Sequence, residues 1–449
     1  MKWSLKKIRH RKEVRQIVHS LKRDIEKWKR SILTKMELRK FRTTPIQYMY
    51  LCSQDYTGIC FRYEDELDIK IFNKVISNLI EKYEFLRSQI IYENGSYWWV
   101  EYEMGDYTDV PFRDISNYDE EMQQAIVESC IKNIYLRSYD IFYSLFYRIL
   151  VLKESEKSFI VIMPFSHTIF DAVSSATLQN DLLNQYQSYL KGEEPQKVRG
   201  TRYLEYLDQI NKGPVNISDE ELTADFCLEK MYDLSRKVSK QAQYFNDVKK
   251  TRIIFSADLN ISEEYGNLID HCLKYAFCFC REILGMNEIP VFVTNIGRMY
   301  EMHMYNDIIG AFVDFIPYIL TENNDAAGYQ KSINELLMKR NVNNINFVKY
   351  LLNEKEDRCY PKTAELLSEI YDNYRIIVNY VGFIENNDFE PIIYKYSNNR
   401  LVDTLLFTVR IIDGKFTITS EISHYIEEKE IMHIADICNI QVQEISYGK

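Results

Sequence analysis

The stretch SFIVIMPFSHTIFDA, Ser158 to Ala172, decides how this chain is read. Its first seven residues, Ser158–Pro164, are apolar at both alternating positions. That is the pattern of a strand with neighbours on either side and packed layers on both faces. A helix is expected over 176–190, with Leu178, Leu182, Leu183, Tyr186 and Leu190 on its buried side and Ser174 or Ser175 placed to cap it. His167 falls between the two, where side chains project into the crevice beside a sheet. Its imidazole titrates near neutrality and can serve as a general base there. A His and an Asp four residues apart carry little by themselves, and a His satisfied in the core or at the surface is the plain alternative reading.

The pattern extends in both directions. Upstream, Asp68–Arg87 carries apolar residues at helical spacing and leads into two strand-like runs, Ser88–Tyr92 and Tyr97–Tyr102, joined through the turn signal Asn94-Gly95. A helix is expected at Glu120–Ser138 and a strand at Tyr143–Leu152, followed by the polar turn Lys153–Lys157. Downstream, residues 191–220 hold Lys191-Gly192 and Gly213-Pro214, the best boundary between lobes. Beyond a charged helical stretch at 221–250, a second region reads as strands at 251–257, 290–295, 313–320, 374–380, 404–411 and 415–423. Helices are expected there at 262–284, 327–353, 362–370 and 427–439. The fold class is therefore α/β with mixed sheets, in two lobes of roughly 200 residues each. The divisions are a basic amphipathic helix at 1–42, an N-terminal lobe at 43–210, a linker and charged helix at 211–250, and a C-terminal lobe at 251–449.

The 449 residues are 46 % hydrophobic and 27 % charged, which excludes a disordered chain. No apolar stretch approaches the ~20 residues that span a bilayer, and the cationic start lacks the apolar core of a secretion signal. Nine cysteines without a Cys-x-x-Cys pair read as reduced thiols, so a cytoplasmic location is expected. His271, Cys272, Cys278 and Cys280 do not share one helix face, and no metal site is read there. Neither a phosphate-binding glycine loop nor a Gly-x-Ser-x-Gly elbow occurs.

Charge is unevenly spread. The net charge is -10, but residues 1–42 hold 16 Lys and Arg against Glu13, Asp24, Glu26 and Glu37. Apolar residues at Val14, Ile17, Val18, Leu21, Ile25, Trp28 and Ile32 make this segment a basic amphipathic helix. Either it lays its apolar stripe on the protein's own acidic body, or it docks to an acidic partner or a membrane surface. Nucleic acid is disfavoured because the rest of the chain is strongly acidic.

The His167 segment is similar to the His-His-x-x-x-Asp-Gly motif of the chloramphenicol acetyltransferase superfamily, especially nonribosomal peptide synthetase condensation domains. Thr44-Pro45-Ile46-Gln47, Tyr83–Arg87 (YEFLR), Leu145–Leu152, Asn295–Leu320 and Val378–Gly382 (VNYVG) resemble further motifs of these domains in the right order. The resemblance covers about residues 43–445. It implies two acetyltransferase-like lobes in a V around an active-site tunnel. It also implies His167 as the catalytic base and Asp171 as a loop-shaping carboxylate paired with Arg87. Ala172 and Ser174 would be loop or oxyanion candidates, and Arg298 and Asp314 would line the tunnel. Ser174 is equally explained as a helix cap.

Departures are specific. Ser166 stands for the first His, Ala172 for the Gly, and Asp314 for an Asn; Ala172 would restrict the loop if its φ were positive. No Asp-Phe-Gly-Trp-Gly motif occurs, which argues against plant-type coenzyme A acyltransferases. Thr294 stands where the sister epimerization domains carry a Glu. The reading implied is an acyltransferase that forms an amide or ester without a covalent intermediate. Its donor would be a phosphopantetheine thioester, on a carrier protein or coenzyme A, with no permanently bound cofactor. Its acceptor would be a small amine or hydroxyl compound. No adenylation, carrier or thioesterase region flanks the matching stretch, so the chain is expected to stand alone and meet a carrier protein in trans, docked by the basic helix. The alternative is a catalytically silent condensation-like scaffold that recruits partners.

Overall fold

The computed structural model describes residues 2–53, 56–107, 109–135, 140, 142, 144–195, 203, 206, 218–242, 250–257, 266–295, 299–300, 303–304, 307–322, 361–373, 375–384, 389–391, 404–412, 415–422, 426–438 and 441–448. The chain divides into two units. The first is made of residues 1–208, 305–311 and 386–398, and the second of 209–304, 312–385 and 399–449. The expected boundary near 210 is thus joined by two short returns to the first unit.

In the first unit the helices are α1 (Lys2–Ile32), α2 (Pro45–Ser53), α3 (Ile69–Lys82), α4 (Glu120–Cys130) and α5 (Ala172–Leu190). The strands are β1 (Leu33–Arg42), β2 (Tyr56–Tyr63), β3 (Ser88–Glu93), β4 (Ser96–Met104), β5 (Phe112–Asp114), β6 (Leu150–Ser155) and β7 (Ser158–Ser166). The return strand β14 (Phe389–Pro391) belongs here too. Among the described residues they form a sheet in the order β14-β2-β7-β6-β5 and a smaller one in the order β1-β4-β3. β7 is the central strand its composition requires, buried at every position after Ser158. Gly58 faces Pro164 across the β2–β7 ladder. A Cβ at Gly58 would sit 2.3 Å from the Met163 carbonyl oxygen, so only glycine fits this close approach.

The N-terminal helix is not an appendage. Val14, Val18, Leu21 and Ile25 pack into one core with Ile126, Cys130, Leu150, Leu152, Ile160 and Ile162. Trp28 meets Tyr147 edge to face, with ring centroids 5.9 Å apart. The helix also stops short of the expected end at 42. Leu33–Arg42 instead pairs with β4 as an edge strand.

Three other boundaries differ from the sequence reading. The helix at 120 is α-helical only to Cys130 and then widens into a π turn, Ile131–Tyr135. The strand expected at 143 begins at Leu150. Pro164 opposite has no N–H to offer, and contact with β7 there is a Tyr147–Phe165 bridge flanked by the Arg148 N–H donating to Pro164 O at 3.1 Å and the Ser166 N–H donating to Phe146 O at 2.8 Å. Helix α5 starts at Ala172, four residues early, because Asp171 and not a serine caps it.

The second unit contains strands β8 (Lys250–Ala257), β9 (Glu288–Asn295), β12 (Asp314–Thr321), β13 (Arg375–Ile384), β15 (Thr404–Ile412), β16 (Lys415–Ile422) and β17 (Gln441–Gly448). Their order is β12-β9-β13-β15-β16-β8-β17. β13 runs parallel to β9 and β15, and the other pairs are antiparallel. A short ladder joins β10 (Met299–Tyr300) and β11 (His303–Met304). Helices α6 (Asp219–Asp225), α7 (Leu228–Ala242), α8 (Gly266–Leu284), α9 (Pro361–Asp372) and α10 (Glu428–Cys438) complete the described part. The stretch 211–250 is more than a linker, since α6 carries a Ser218–Glu221 capping box and Thr223 meets Thr363 of α9 at 3.1 Å. The helix expected at 327–353 lies outside the described residues. Among the described residues, no helix is long and apolar enough to cross a membrane.

Because Leu21 is fully buried in the first unit's core, Leu21→Ala should lower stability by about 2–5 kcal/mol in urea unfolding, whereas Arg23→Ala on the outer face should change it by less than about 0.5 kcal/mol.

Candidate active site

The site is built where β7 ends. The Ser166 N–H donates to Phe146 O at 2.8 Å, and the Ser166 hydroxyl then accepts the Thr168 N–H at 3.2 Å and meets the Thr168 hydroxyl at 2.9 Å. Ile169 N–H reaches back to Ser166 O at 3.1 Å, closing a tight turn over residues 166–169. The Phe170 ring stacks on Phe165 with centroids 4.0 Å apart, locking the turn to the end of the strand. Ser166, Thr168, Ile169, Phe170 and Asp171 are all buried, and His167 alone in this run is half-exposed. Its ring lies against Tyr50 of α2, with centroids 4.6 Å apart and planes 16° from parallel.

Asp171 is 2 % exposed, and its Oδ1 accepts the Ser174 N–H at 2.7 Å. This caps α5 and places Ala172 at the first helical position, where φ is negative, so alanine in place of the motif glycine strains nothing. Ser174 is fully buried. Its hydroxyl accepts the Gly310 N–H at 3.0 Å and lies 2.8 Å from Asp171 Oδ1 and 2.9 Å from Gly310 O. Ser174 is therefore neither the helix cap nor an open oxyanion donor. It is the joint between α5 and the returning segment 305–311.

Arg87 does not pair with Asp171. Its guanidinium donates to Glu101 Oε1 at 2.5 Å and to the carbonyl oxygens of Glu81 at 2.5 Å and Ile80 at 3.1 Å. The reason is register. Ser88, the next residue, stands directly opposite Glu101 in the β3–β4 ladder, and Arg39 is Glu101's partner on the other side, in β1. Arg39 Nε lies 3.3 Å from Glu101 Oε2. Two guanidinium groups thus meet one fully buried carboxylate, the condition under which a charge is tolerated inside. Nearby Glu84 is buried and accepts the Tyr203 N–H at 2.6 Å. Burial pushes its carboxyl up to about 7; the Tyr203 N–H opposes the shift and the Glu101 carboxylate adds to it.

The Thr44-Pro45-Ile46-Gln47 motif is a capping box. Gln47 Oε1 accepts the Thr44 N–H at 3.0 Å, Thr44 Oγ1 accepts the Gln47 N–H at 3.4 Å, and Pro45 takes the first position of α2. Gln47 also accepts the Trp99 indole N–H at 3.0 Å, which fixes the helix that carries Tyr50 to β4. Asp314 opens β12 in the second unit, where its Oδ1 accepts the Phe315 N–H at 2.9 Å. Thr294 donates to Asn379 Oδ1 at 3.0 Å, joining β9 to β13 within that unit. Arg298 lies outside the described residues. The structure therefore brings together His167, Asp171, Ala172 and Ser174, and places Arg87 in a separate ion cluster. Sequence reading missed Tyr50, Glu101 and Gly310. Tyr50 could have been found, since it sits one helical turn after Gln47 in the motif helix.

Residues 48–220 match the family model of the condensation domain. Surfactin synthase subunit 2 of Bacillus subtilis is 21 % identical over 280 residues, 58 % of this chain and 7 % of its own length. Gramicidin S synthase 2 of Brevibacillus brevis is 19 % identical over 365 residues, 77 % of this chain and 8 % of its own. The chain thus spans less than a tenth of the length of these curated relatives. Among solved structures, the epimerization domain from the third module of tyrocidine synthetase B matches with a TM-score of 0.63 at 16 % identity, covering 91 % of this chain and 96 % of that one. The starter condensation domain of rhizomide synthetase matches with a TM-score of 0.59 at 11 % identity, covering 90 % and 96 %. A variant of that starter domain is solved with C8-CoA and Leu-SNAC. The fold is mixed α/β, like that of the epimerization and starter condensation domains, and residues 48–220 resemble the condensation domain.

Two measurements check this geometry. In double-mutant cycles on unfolding free energy, Arg87→Ala and Glu101→Ala should couple strongly, and Arg87→Ala and Asp171→Ala should add; breaking the buried pair by Arg87→Ala alone should cost about 3–5 kcal/mol. Glu84 has a folded pKa raised from 4.5 to about 7, so its contribution to stability is fully present below pH 4.5 and is lost as pH rises through 7. Glu84→Gln should flatten the stability–pH curve in that window, measured by urea midpoints.

Proposed function

We propose that this chain transfers an acyl or aminoacyl group from a phosphopantetheine thioester, on a carrier protein or coenzyme A, to the amine or hydroxyl of a small-molecule acceptor. The observation that carries the reading is the half-exposed imidazole of His167, held at the end of a wholly buried strand by its stack on Tyr50. The coenzyme A ester in the rhizomide domain variant supports a thioester donor.

In this reading the acceptor's nitrogen or oxygen attacks the thioester carbonyl while His167 takes its proton. The tetrahedral oxyanion then collapses, the C–S bond breaks, and the departing thiolate recovers the proton from the imidazolium. No covalent bond to the protein is needed. The first N–H groups of α5, at Ala172 and Val173, have no intrahelical acceptor, and the helix N-terminus favours negative charge; both suit them to the oxyanion. Tyr50 acts as a positioning residue. Its π face fixes the imidazole plane.

His167→Ala should lower kcat by about 10²–10⁴-fold while leaving the melting temperature unchanged, read by intact-mass assay of acyl transfer from a loaded carrier domain and from an acyl-CoA. Undiminished turnover would remove His167 from the chemistry. Tyr50→Leu should lower kcat with KM little changed, and Tyr50→Phe, which keeps the ring face against the imidazole, should restore the wild-type value.

A further inference from the structure

We infer that the outward face of α1, continued by the edge strand β1, is the docking surface for an acidic carrier protein. This rests on the proposed thioester donor and names where that donor is presented.

The structure separates the two faces of α1. Val14, Val18, Leu21, Ile25, Trp28 and Ile32 are buried in the first unit. Arg11, Arg15, His19, Arg23 and Lys27 follow one another at intervals of four on the exposed side, a row about 24 Å long at the helical rise. Lys12 and Arg30 are exposed beside it. Cations spaced four apart on a helix repel one another. The three acids of this helix do not relieve them: Asp24 turns to Arg113 at 3.7 Å, Glu26 turns to Lys29 at 3.8 Å, and Glu13 forms no ion pair among the described residues. Among the described residues, no ion pair involves Arg11, Lys12, Arg15, Arg23, Lys27 or Arg30. The chain outside this segment carries a large excess of acid, yet among the described residues none of it forms an ion pair with this row.

The row runs into β1 without a break. There Met36 and Leu38 are 57 % and 44 % exposed, beside a bulge at Glu37–Arg39, with Lys35 and Lys40 also exposed nearby. An apolar spot beside a cationic row is the composition of a protein interface, with steering charge and a dry contact together. A lipid surface fits less well, since the apolar stripe that would enter the bilayer is already consumed by the core. A nucleic acid would be repelled by the acidic remainder of the chain. The occupant that fits is an acidic protein, and a carrier protein is one of the two donors proposed for the site.

The test uses the full chain carrying Arg15→Glu, Arg23→Glu and Lys27→Glu, with a second variant bearing Gln at the same three positions. The probes are a fluorescent octanoyl-phosphopantetheinyl carrier domain of acidic charge, octanoyl-CoA, vesicles of mixed phosphatidylserine and phosphatidylcholine, and a duplex oligonucleotide. Both variants should bind the carrier domain roughly tenfold or more weakly, with a flatter salt dependence. Turnover of octanoyl-CoA, which needs no docking, should be unchanged. Met36→Ser with Leu38→Ser should weaken carrier binding with the salt dependence intact. Equal carrier affinity in wild type and variants overturns the proposal, as does a loss confined to vesicles or to the duplex. Charge-dependent carrier binding without transfer from either donor would uphold the docking surface and sink the acyl-transfer reading instead.

Discussion

Burial of β7 on both faces sets how the chain leaves it. Every backbone group near its end must be satisfied by protein, and residues 166–171 do this with a turn closed on Ser166 and a capped helix that begins at once. The apolar side chains of the turn, Ile169 and Phe170, fold back onto the core, with Phe170 stacked on Phe165. His167 is the one residue of that run left with a route to solvent. Its placement follows from the strand's burial more than from any contact of its own, and the stack on Tyr50 then fixes the ring plane.

The Asp171 carboxylate shows how one motif position can keep its place while changing its partner. At the start of α5 it accepts a backbone N–H and lies within hydrogen-bond distance of a serine hydroxyl, and the same serine accepts the N–H of Gly310 from a segment 136 residues away. The loop is shaped by these hydrogen bonds and by the helix terminus, which favours an anion. Arg87 is released from that duty and instead closes the β3–β4 hairpin on Glu101, whose position opposite Ser88 puts its carboxylate within reach.

Much of this was legible in the residues. The double-faced apolar pattern of 158–164 identified the central strand, and Asn94-Gly95 identified the hairpin turn between β3 and β4. The capping box was visible as a motif, though its link to Trp99 was not, because that bond spans 52 residues. The Arg87 partner was misjudged for a similar reason. A motif names two residues of opposite charge, but the pairing depends on the register of a third strand, and Glu101 is an ordinary alternating position in β4. The start of α5 was misjudged on local grounds. Serine and aspartate both cap helices, and the choice between them was settled by Ser174 being drawn into a bond with Gly310.

The N-terminal helix has an inner face set by folding and an outer face that is not. Its sequence was compatible with a peripheral arm or with a structural element, and periodicity alone could not separate them, since both need an apolar stripe. The stripe is committed to the core, so removing the helix would unfold the unit that carries His167 and could not isolate any role in binding. A stripe that packs explains the apolar positions and says nothing of the cations opposite. Helical stability alone does not call for basic residues at four-residue intervals; alternating signs would serve it better, and the acids that could alternate are drawn toward Arg113 and Lys29. The inner face of α1 is therefore accounted for by folding, and the outer face is what folding leaves to be explained by a partner.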